Sequence, residues 1–239
     1  LTFIDNEVQK SPYSVIPSGT AAGPGLSSTA INGYLSGHPI GSFFLKEFIG
    51  FDDKGLNAFR DVNGDGIITD ADRVIAGTAL PSKMFNLSGN LGYKGFDFSL
   101  SFNGVSGNKV YDNTANGNSY KLRLSKGLNI THAALNDPAE SINNSAPVST
   151  RYLKDASYFR LNNMALGYNV NTQELGIDKW VRSLRVSVTA QNLFVWTKYD
   201  GYDPEVTKDR AVNGITSYGI DYLSFPKAKT VTFGINIGL

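Results

Sequence analysis

The chain has 239 residues, 22 basic against 21 acidic, and charged residues make up only 18% of it, below the usual quarter. A near-neutral balance with no basic block argues against a nucleic-acid surface, and the absence of cysteine excludes disulfide scaffolds, zinc–thiolate sites and thiol catalysis. With 25 Gly, 14 Phe and 12 Tyr, the composition suits short strands, tight turns and long polar loops better than helices. No run of about 18 apolar residues occurs, so no transmembrane helix is expected.

In chain order, Leu1 to Asp5 reads as part of a strand and lacks the basic and apolar regions of a signal peptide. The expectation is a chain that starts partway through a larger protein. Residues 9 to 82 form a first long connection, rich in Gly, Asn, Ser and Pro. Within it, Asp61, Asn63, Asp65, Gly66, Ile67 and Asp72 take positions one, three, five, six, seven and twelve of an EF-hand-like segment, 61–72. Oxygen side chains at that spacing converge on one ion, the glycine permits a sharp turn, and residue seven offers its carbonyl. Asp61, Asn63, Asp65, Ile67 and Asp72 are therefore candidate ligands of a structural Ca²⁺. Asp72 replaces the usual Glu, and a run of metal-free Asx turns is the alternative.

Beyond this connection, period-two alternation dominates. Phe85, Leu87, Leu91 and Tyr93 oppose Asn86, Ser88 and Asn90; after a tight turn, Phe96, Phe98, Leu100 and Phe102 oppose Asp97, Ser99, Ser101 and Asn103. Successive side chains on a strand point to opposite faces, so each segment has one oily and one polar face. A second long connection fills 107 to 156. The segment from Tyr158 to Tyr168 alternates with a slip: Phe159 and Leu161 are odd, whereas Met164, Leu166 and Tyr168 are even. One extra residue at Asn162-Asn163, a β-bulge, produces such a slip; a strand end followed by a new strand is the alternative. Leu184, Val186, Val188 and Ala190 mark the next strand, 198 to 228 is the third long connection, and Val231, Phe233, Ile235, Ile237 and Leu239 mark the last.

A soluble sandwich would alternate in the same way. Two features turn the oily face outward instead. The polar faces carry uncharged Asn, Ser, Thr and Gln where a soluble surface carries more Lys and Glu. Aromatic residues also gather near strand ends, at Tyr93, Phe96, Tyr168, Trp180, Trp196 and Tyr199, as interfacial girdles do. Short turns alternating with long loops complete the pattern of an outer-membrane barrel. Phe98, Leu100, Val186, Val188, Phe233 and Ile235 are then expected to face lipid, and Ser99, Ser187, Thr232 and Asn236 the lumen. About six crossings are too few to close a barrel, because single-chain bacterial barrels begin at eight. Both edges of the sheet are expected to pair with strands outside this sequence.

The string Asp61-Val-Asn-Gly-Asp-Gly-Ile, followed by Asp72, Gly77, Pro81 and Tyr93-Lys-Gly-Phe-Asp-Phe-Ser, resembles the C-terminal region of SusC-like TonB-dependent transporters. His38-Pro-Ile-Gly-Ser-Phe-Phe, Tyr158-Phe-Arg-Leu-Asn-Asn, Leu184-Arg-Val-Ser-Val-Thr-Ala-Gln-Asn-Leu-Phe and Lys198-Tyr-Asp-Gly-Tyr-Asp-Pro-Glu follow the same family order. The resemblance implies an all-β fold: the C-terminal strands of a transmembrane antiparallel β-barrel of about 22 strands, spanning residues 1–239, with the plug outside this chain and 9–82 as a long extracellular loop. It implies active import of oligosaccharides or peptides across the outer membrane. The implied partners are a SusD-like surface lipoprotein lid, the TonB–ExbB–ExbD complex, the rest of the barrel and plug, and lipid. One departure is Leu239, where family members usually end in an aromatic residue.

Catalysis finds little support. The two histidines, His38 and His132, fall in loops, and Asp203 and Glu205, two apart on an extended chain, point to opposite faces, which suits no glycosidase pair. No enzyme activity is expected. Tyr199, Tyr202, Tyr218 and Tyr222 are candidates for substrate or lid contact, with loop packing as their other use. The competing function is a secreted β-sandwich binding module with a dockerin-like calcium loop.

Overall fold

The computed structural model describes residues 1–23, 26 and 29–239. The chain begins with β1 (Thr2–Phe3) and then the first connection, which holds β2 (Ile16–Thr20), β3 (Ala30–Tyr34), β4 (Ser42–Lys46), β5 (Phe48–Phe51), β6 (Asn57–Phe59) and β7 (Arg73–Thr78). Two long strands follow, β8 (Lys83–Tyr93) and β9 (Phe96–Ser106). The second connection contains β10 (Lys109–Asp112), α1 (Asn113–Asn118), α2 (Leu122–Ser125), α3 (His132–Asn136) and β11 (Leu153–Asp155). Then come β12 (Tyr158–Val170), β13 (Ser183–Thr197), β14 (Ile220–Asp221) within the third connection, and β15 (Thr230–Gly238).

One six-stranded antiparallel sheet runs in the order β1-β8-β9-β12-β13-β15; its strands are the five that alternation marks out and the short β1 within Leu1 to Asp5. Lys94 and Gly95 both have positive φ, 46° and 84°, which makes a two-residue hairpin turn of the type whose twist matches the flanking strands. The 171–182 turn lies at the same end of the sheet, and the three long connections lie at the other. Cross-strand rows follow the predicted faces. Leu91 pairs with Phe98, Phe98 with Leu166, Leu166 with Val188 and Val188 with Phe233. On the opposite face, Asn90, Ser99, Ala165, Thr189 and Thr232 form the matching row. The register of β12 shifts between Leu161 and Asn163 in both pairings, with Asn192 and Leu193 of β13 opposite Asn162; against β9, Asn162 is the extra residue, the predicted bulge. It returns Phe159 and Leu161 to the face of Met164 and Leu166.

The apolar face stands bare. Leu91 is 73% exposed and Phe233 81%, and among the described residues no second sheet covers them, as a sandwich would require. Aromatic side chains band this face at both ends. Phe96 and Tyr168 meet 4.3 Å apart near the short turns. Near the long connections, Phe85, Phe102 and Trp196 stack about Phe159, with centroids 5.0–5.7 Å away. Tyr199 does not join this band, against the expectation. It turns away into the connections and is buried against Val110 and Ala156.

The long connections are a folded layer rather than open loops. The first builds a four-stranded sheet, β2-β3-β4-β7, and a β5-β6 hairpin; the second and third share a sheet ordered β11-β10-β14. Every member of the main buried cluster, including Ile31, Phe43, Leu45, Tyr111, Tyr152 and Ile220, lies in these connections. Buried amides join them. Asn113 accepts from Ala22 N (2.7 Å) and donates to Ala22 O (2.9 Å), and Asn32 Nδ2 donates to Tyr218 O (2.6 Å). These side chains occupy backbone groups that would otherwise be buried without partners.

Candidate functional site

Four constellations hold chemistry-bearing groups. On the polar face of the six-stranded sheet, Arg185 of β13 reaches across β12 to pair with Asp97 of β9, with Nη2–Oδ2 at 2.7 Å. The crossing depends on Gly167, because a Cβ there would collide with the Arg185 guanidinium.

At the other end of the same face, Arg160 of β12 is 2% exposed and ties the third connection to the sheet. Its Nη2 donates to Asp203 Oδ1 at 2.6 Å, and Nε lies 3.4 Å from Glu205 Oε2. Asp203 also accepts from Glu205 N (3.0 Å) and Lys227 N (3.2 Å), while Lys227 Nζ pairs with Glu205 at 2.6 Å. Asp203 and Glu205 are thus structural partners of one guanidinium. Sequence reasoning had set them aside as catalysts but had missed Arg160. Its one local signal is a charged residue inside an otherwise uncharged strand, Tyr158-Phe-Arg-Leu-Asn-Asn.

The EF-hand-like segment forms a chain of Asx turns. Asp61 accepts from Gly64 N (2.7 Å) and Gly66 N (2.8 Å), Asn63 Oδ1 from Asp65 N (3.0 Å), and Asp65 Oδ1 from Ile67 N (2.8 Å). Asn63 Nδ2 also donates to Asp65 Oδ2 at 2.8 Å. Asp72 is buried, and its two oxygens accept from Val62 N (2.9 Å) and Thr69 N (2.7 Å), closing a capping box. These backbone hydrogen bonds hold its carboxyl below the ordinary carboxylate range. Among the described residues, no three acidic or histidine side chains converge as a metal-binding group. The donor chemistry nevertheless suits a hard cation, because every candidate ligand is an oxygen and each carboxylate oxygen has lone pairs beyond one hydrogen bond.

The four tyrosines separate. Tyr199 is buried and its hydroxyl donates to Asp221 Oδ2 at 2.7 Å; burial and the nearby Asp112 and Asp221 push its pKa well up. A ring so enclosed cannot touch a substrate or lid, which corrects that candidacy. Tyr218 packs against the buried cluster, and the Tyr222 ring lies under the Arg210 guanidinium at 5.7 Å. Tyr202 alone of the four is broadly exposed, at 69%, and it borders a cavity of about 570 Å³ between the second and third connections. Asp112, Asp137, Asp200 and Asp221 line that cavity together with Arg151 and Lys154. Burial pushes the Asp112 carboxyl up, and Asp221 Oδ1 has no hydrogen-bond partner among the described residues.

No protein-family model matches the chain. Curated relatives do. The chain is 31% identical to TonB-dependent receptor P3 of Formosa agariphila, over 84% of this chain and 22% of that protein. It is 30% identical to TonB-dependent receptor SusC of Bacteroides thetaiotaomicron, over 88% of this chain and 20% of that protein. The chain therefore spans about a fifth of the length of the curated relatives it matches. Among solved structures, the RagAB peptide transporter superposes with a TM-score of 0.72 at 20% identity, covering 97% of this chain and 25% of that one. The closed-closed RagAB peptide importer gives 0.71 at 22% identity, covering 97% and 26%; at such identities the likeness is one of fold. Strand order, face pattern and these likenesses agree, and the chain belongs to the SusC-like TonB-dependent receptors as a segment of their β-barrel.

Proposed function

We propose that this chain forms part of the wall and outer rim of an outer-membrane importer that is driven through TonB–ExbB–ExbD and covered by a SusD-like surface lipoprotein. The observation that carries the reading is the sheet itself: six antiparallel strands with one bare apolar face and two edges, β1 and β15, each paired on one side only. In hydrocarbon, each unsatisfied backbone group costs several kcal/mol, so such a sheet belongs in lipid only when further strands close it into a barrel. The polar face, lined by Ser, Thr, Asn and the Asp97–Arg185 pair, then borders a hydrated lumen or its plug. The short turns lie in the periplasm, and the folded connections stand outside as the rim on which a lid closes.

The cargo in this reading is an oligosaccharide or peptide too large for porins, and the chain itself performs no catalysis. A structural Ca²⁺ held by Asp61, Asn63, Asp65, the Ile67 carbonyl and Asp72 would pin the first connection. The test is fractionation and uptake with the full-length receptor. It should partition with outer membranes, need detergent for release, and support cargo uptake that stops when TonB is deleted. A soluble, monodisperse, folded monomer of residues 1–239 without detergent would overturn the reading.

A further inference from the structure

Two buried acids face each other where the second and third connections join. We infer that Asp112 and Asp221 form a proton-operated clasp: with Asp112 protonated, β14 stays paired to β10, and with both carboxyls ionised the third connection parts from the second. The clasp belongs to the rim alone and does not depend on the cargo.

Register is the first argument. β14 runs parallel to β10 for two residues, with Tyr111 opposite Ile220 and Asp112 opposite Asp221. Residues opposite one another on neighbouring strands project from the same face, so the two carboxyls stand side by side. Asp112 is 5% exposed and Asp221 1%, which leaves little water to screen them. Like charges placed opposite each other loosen a strand pair, and low-dielectric surroundings enlarge the repulsion. Little backbone resists it. Beside the short ladder, Tyr111 N donates to Gly219 O at 2.8 Å and Lys208 N to Ile220 O at 2.7 Å.

Hydrogen bonding is the second argument. Asp112 Oδ1 accepts from Ala115 N at 2.7 Å, capping α1, and Asp221 Oδ2 accepts from the Tyr199 hydroxyl at 2.7 Å. Asp221 Oδ1 is enclosed and has no hydrogen-bond partner among the described residues. A buried carboxylate oxygen left unpaired is costly. Protonating Asp112 removes the like charge beside it and turns one acceptor into a donor.

The surrounding charges do not neutralise the pair. Asp200, at the start of the third connection, adds a negative charge, and Asp137 lines the same cavity. Lys154 of β11 attracts Asp112, but its Nζ is gripped by both oxygens of Asp200 at 2.6 Å. Arg151 is engaged by Glu140 at 3.0 Å. Burial above all, with Asp221 and Asp200 adding to it, raises the Asp112 carboxyl against the pull of the Ala115 N–H and Lys154. Burial and Asp112 also push the Tyr199 hydroxyl up, so Tyr199 remains a donor while the carboxyl titrates. The closed clasp thus holds its proton more tightly than the open one. It is closed at the ordinary carboxylate pKa and below, and opens as pH rises through the raised value.

Hydrogen exchange of the full-length receptor in detergent, followed against pH and corrected for intrinsic exchange, tests the clasp. In wild type, β14 should lose protection as pH rises, about tenfold for each pH unit that separates the closed and open carboxyl pKa. Asp112→Asn, which keeps a capping side chain, and Asp221→Asn should each stay protected and lose the pH dependence. Asp200→Asn should keep the transition and move it to lower pH, because it removes a negative charge and frees Lys154; a purely structural role would not move the midpoint. Strand β9 is the internal reference, and its protection should stay constant. A flat wild-type profile, a transition that survives in Asp112→Asn, or one that β9 shares overturns the clasp. The wild-type profile decides even where a variant fails to fold. Exchange is read without cargo or TonB, so the clasp and the import reading fail separately.

Discussion

The six-stranded sheet and the layer of connections above it solve the burial problem in opposite ways. The sheet keeps its large apolar side chains on the surface: Phe233, Ile235, Leu91 and Leu87 all stand exposed. The connections bury theirs, with Phe43, Ile31, Tyr111 and Ile220 at 0% exposure. One chain thus carries an oil-facing surface without a core and a water-facing layer with one. The difference shows that the hydrophobic effect alone organises only the outer layer. In lipid the sheet gains nothing by hiding its Phe and Ile residues, and its integrity rests on paired backbone groups.

The sharpest way to break the comparison is at the joint between the two regions. Arg160→Ala leaves Asp203 buried without its guanidinium, and removing one partner of such a pair costs about 3–5 kcal/mol. In the full-length receptor the third connection should become protease-sensitive while the barrel keeps its heat-modifiable mobility. If both regions fail together, the connections are not a separately stabilised layer.

A charge inside the sheet should discriminate its two faces. Val188→Arg, in mid-strand on the apolar face, should destabilise the folded receptor in lipid vesicles by about 2–4 kcal/mol. Thr189→Arg, one residue on and facing the other way, should cost much less. Urea unfolding of the two variants measures the gap, and equal losses would sink the assignment of faces.

Acid and base should act on the outer layer in opposite senses at two carboxyls. Burial raises the Asp112 pKa, so the folded layer holds that proton more tightly than the unfolded chain does. Stability therefore falls as pH rises from the ordinary carboxylate range through the raised value, and Asp112→Asn should remove the fall. Backbone hydrogen bonds from Thr69 and Val62 lower the Asp72 pKa. Its contribution is present above the ordinary range and is lost as pH falls through the lowered value. Proteolysis of each connection against pH reads both slopes; the same sign at both sites contradicts the stated causes.

The smallest effect expected is at the EF-hand-like segment. Asp65→Ala should loosen residues 61–72 and abolish any Ca²⁺-dependent protection from proteases, without altering the barrel. Protection that is independent of millimolar Ca²⁺ in the unsubstituted receptor would leave this segment as metal-free Asx turns.

The sheet was legible because a strand between lipid and lumen has two unlike faces. Phe96-Asp-Phe-Ser-Leu-Ser-Phe-Asn writes that difference at every second residue, and a single extra residue at Asn162 shows as a break in phase. The strands of the outer layer carry no such mark. In Ser42-Phe-Phe-Leu-Lys46, Phe43 and Leu45 are buried on one face while Ser42 is buried and Phe44 partly buried on the other, so neither face is a solvated polar one and period two disappears from the sequence. From composition alone, 9–82 looked like a loop.

Local sequence thus determined the strands, their facing, their turns and the bulge, because neighbouring residues set backbone period and twist. The Asx-turn segment was legible for the same reason, its hydrogen bonds spanning no more than 10 residues. Only the tertiary structure decided that Arg160 meets Asp203 across 43 residues. It also decided that Tyr199 turns inward while Tyr202 remains outside, and that Asp112 and Asp221 come side by side in a parallel pairing of β10 with β14. Such groups meet because separate connections pack into one layer over the sheet, and no periodicity along the chain encodes which buried side chain will lie opposite which.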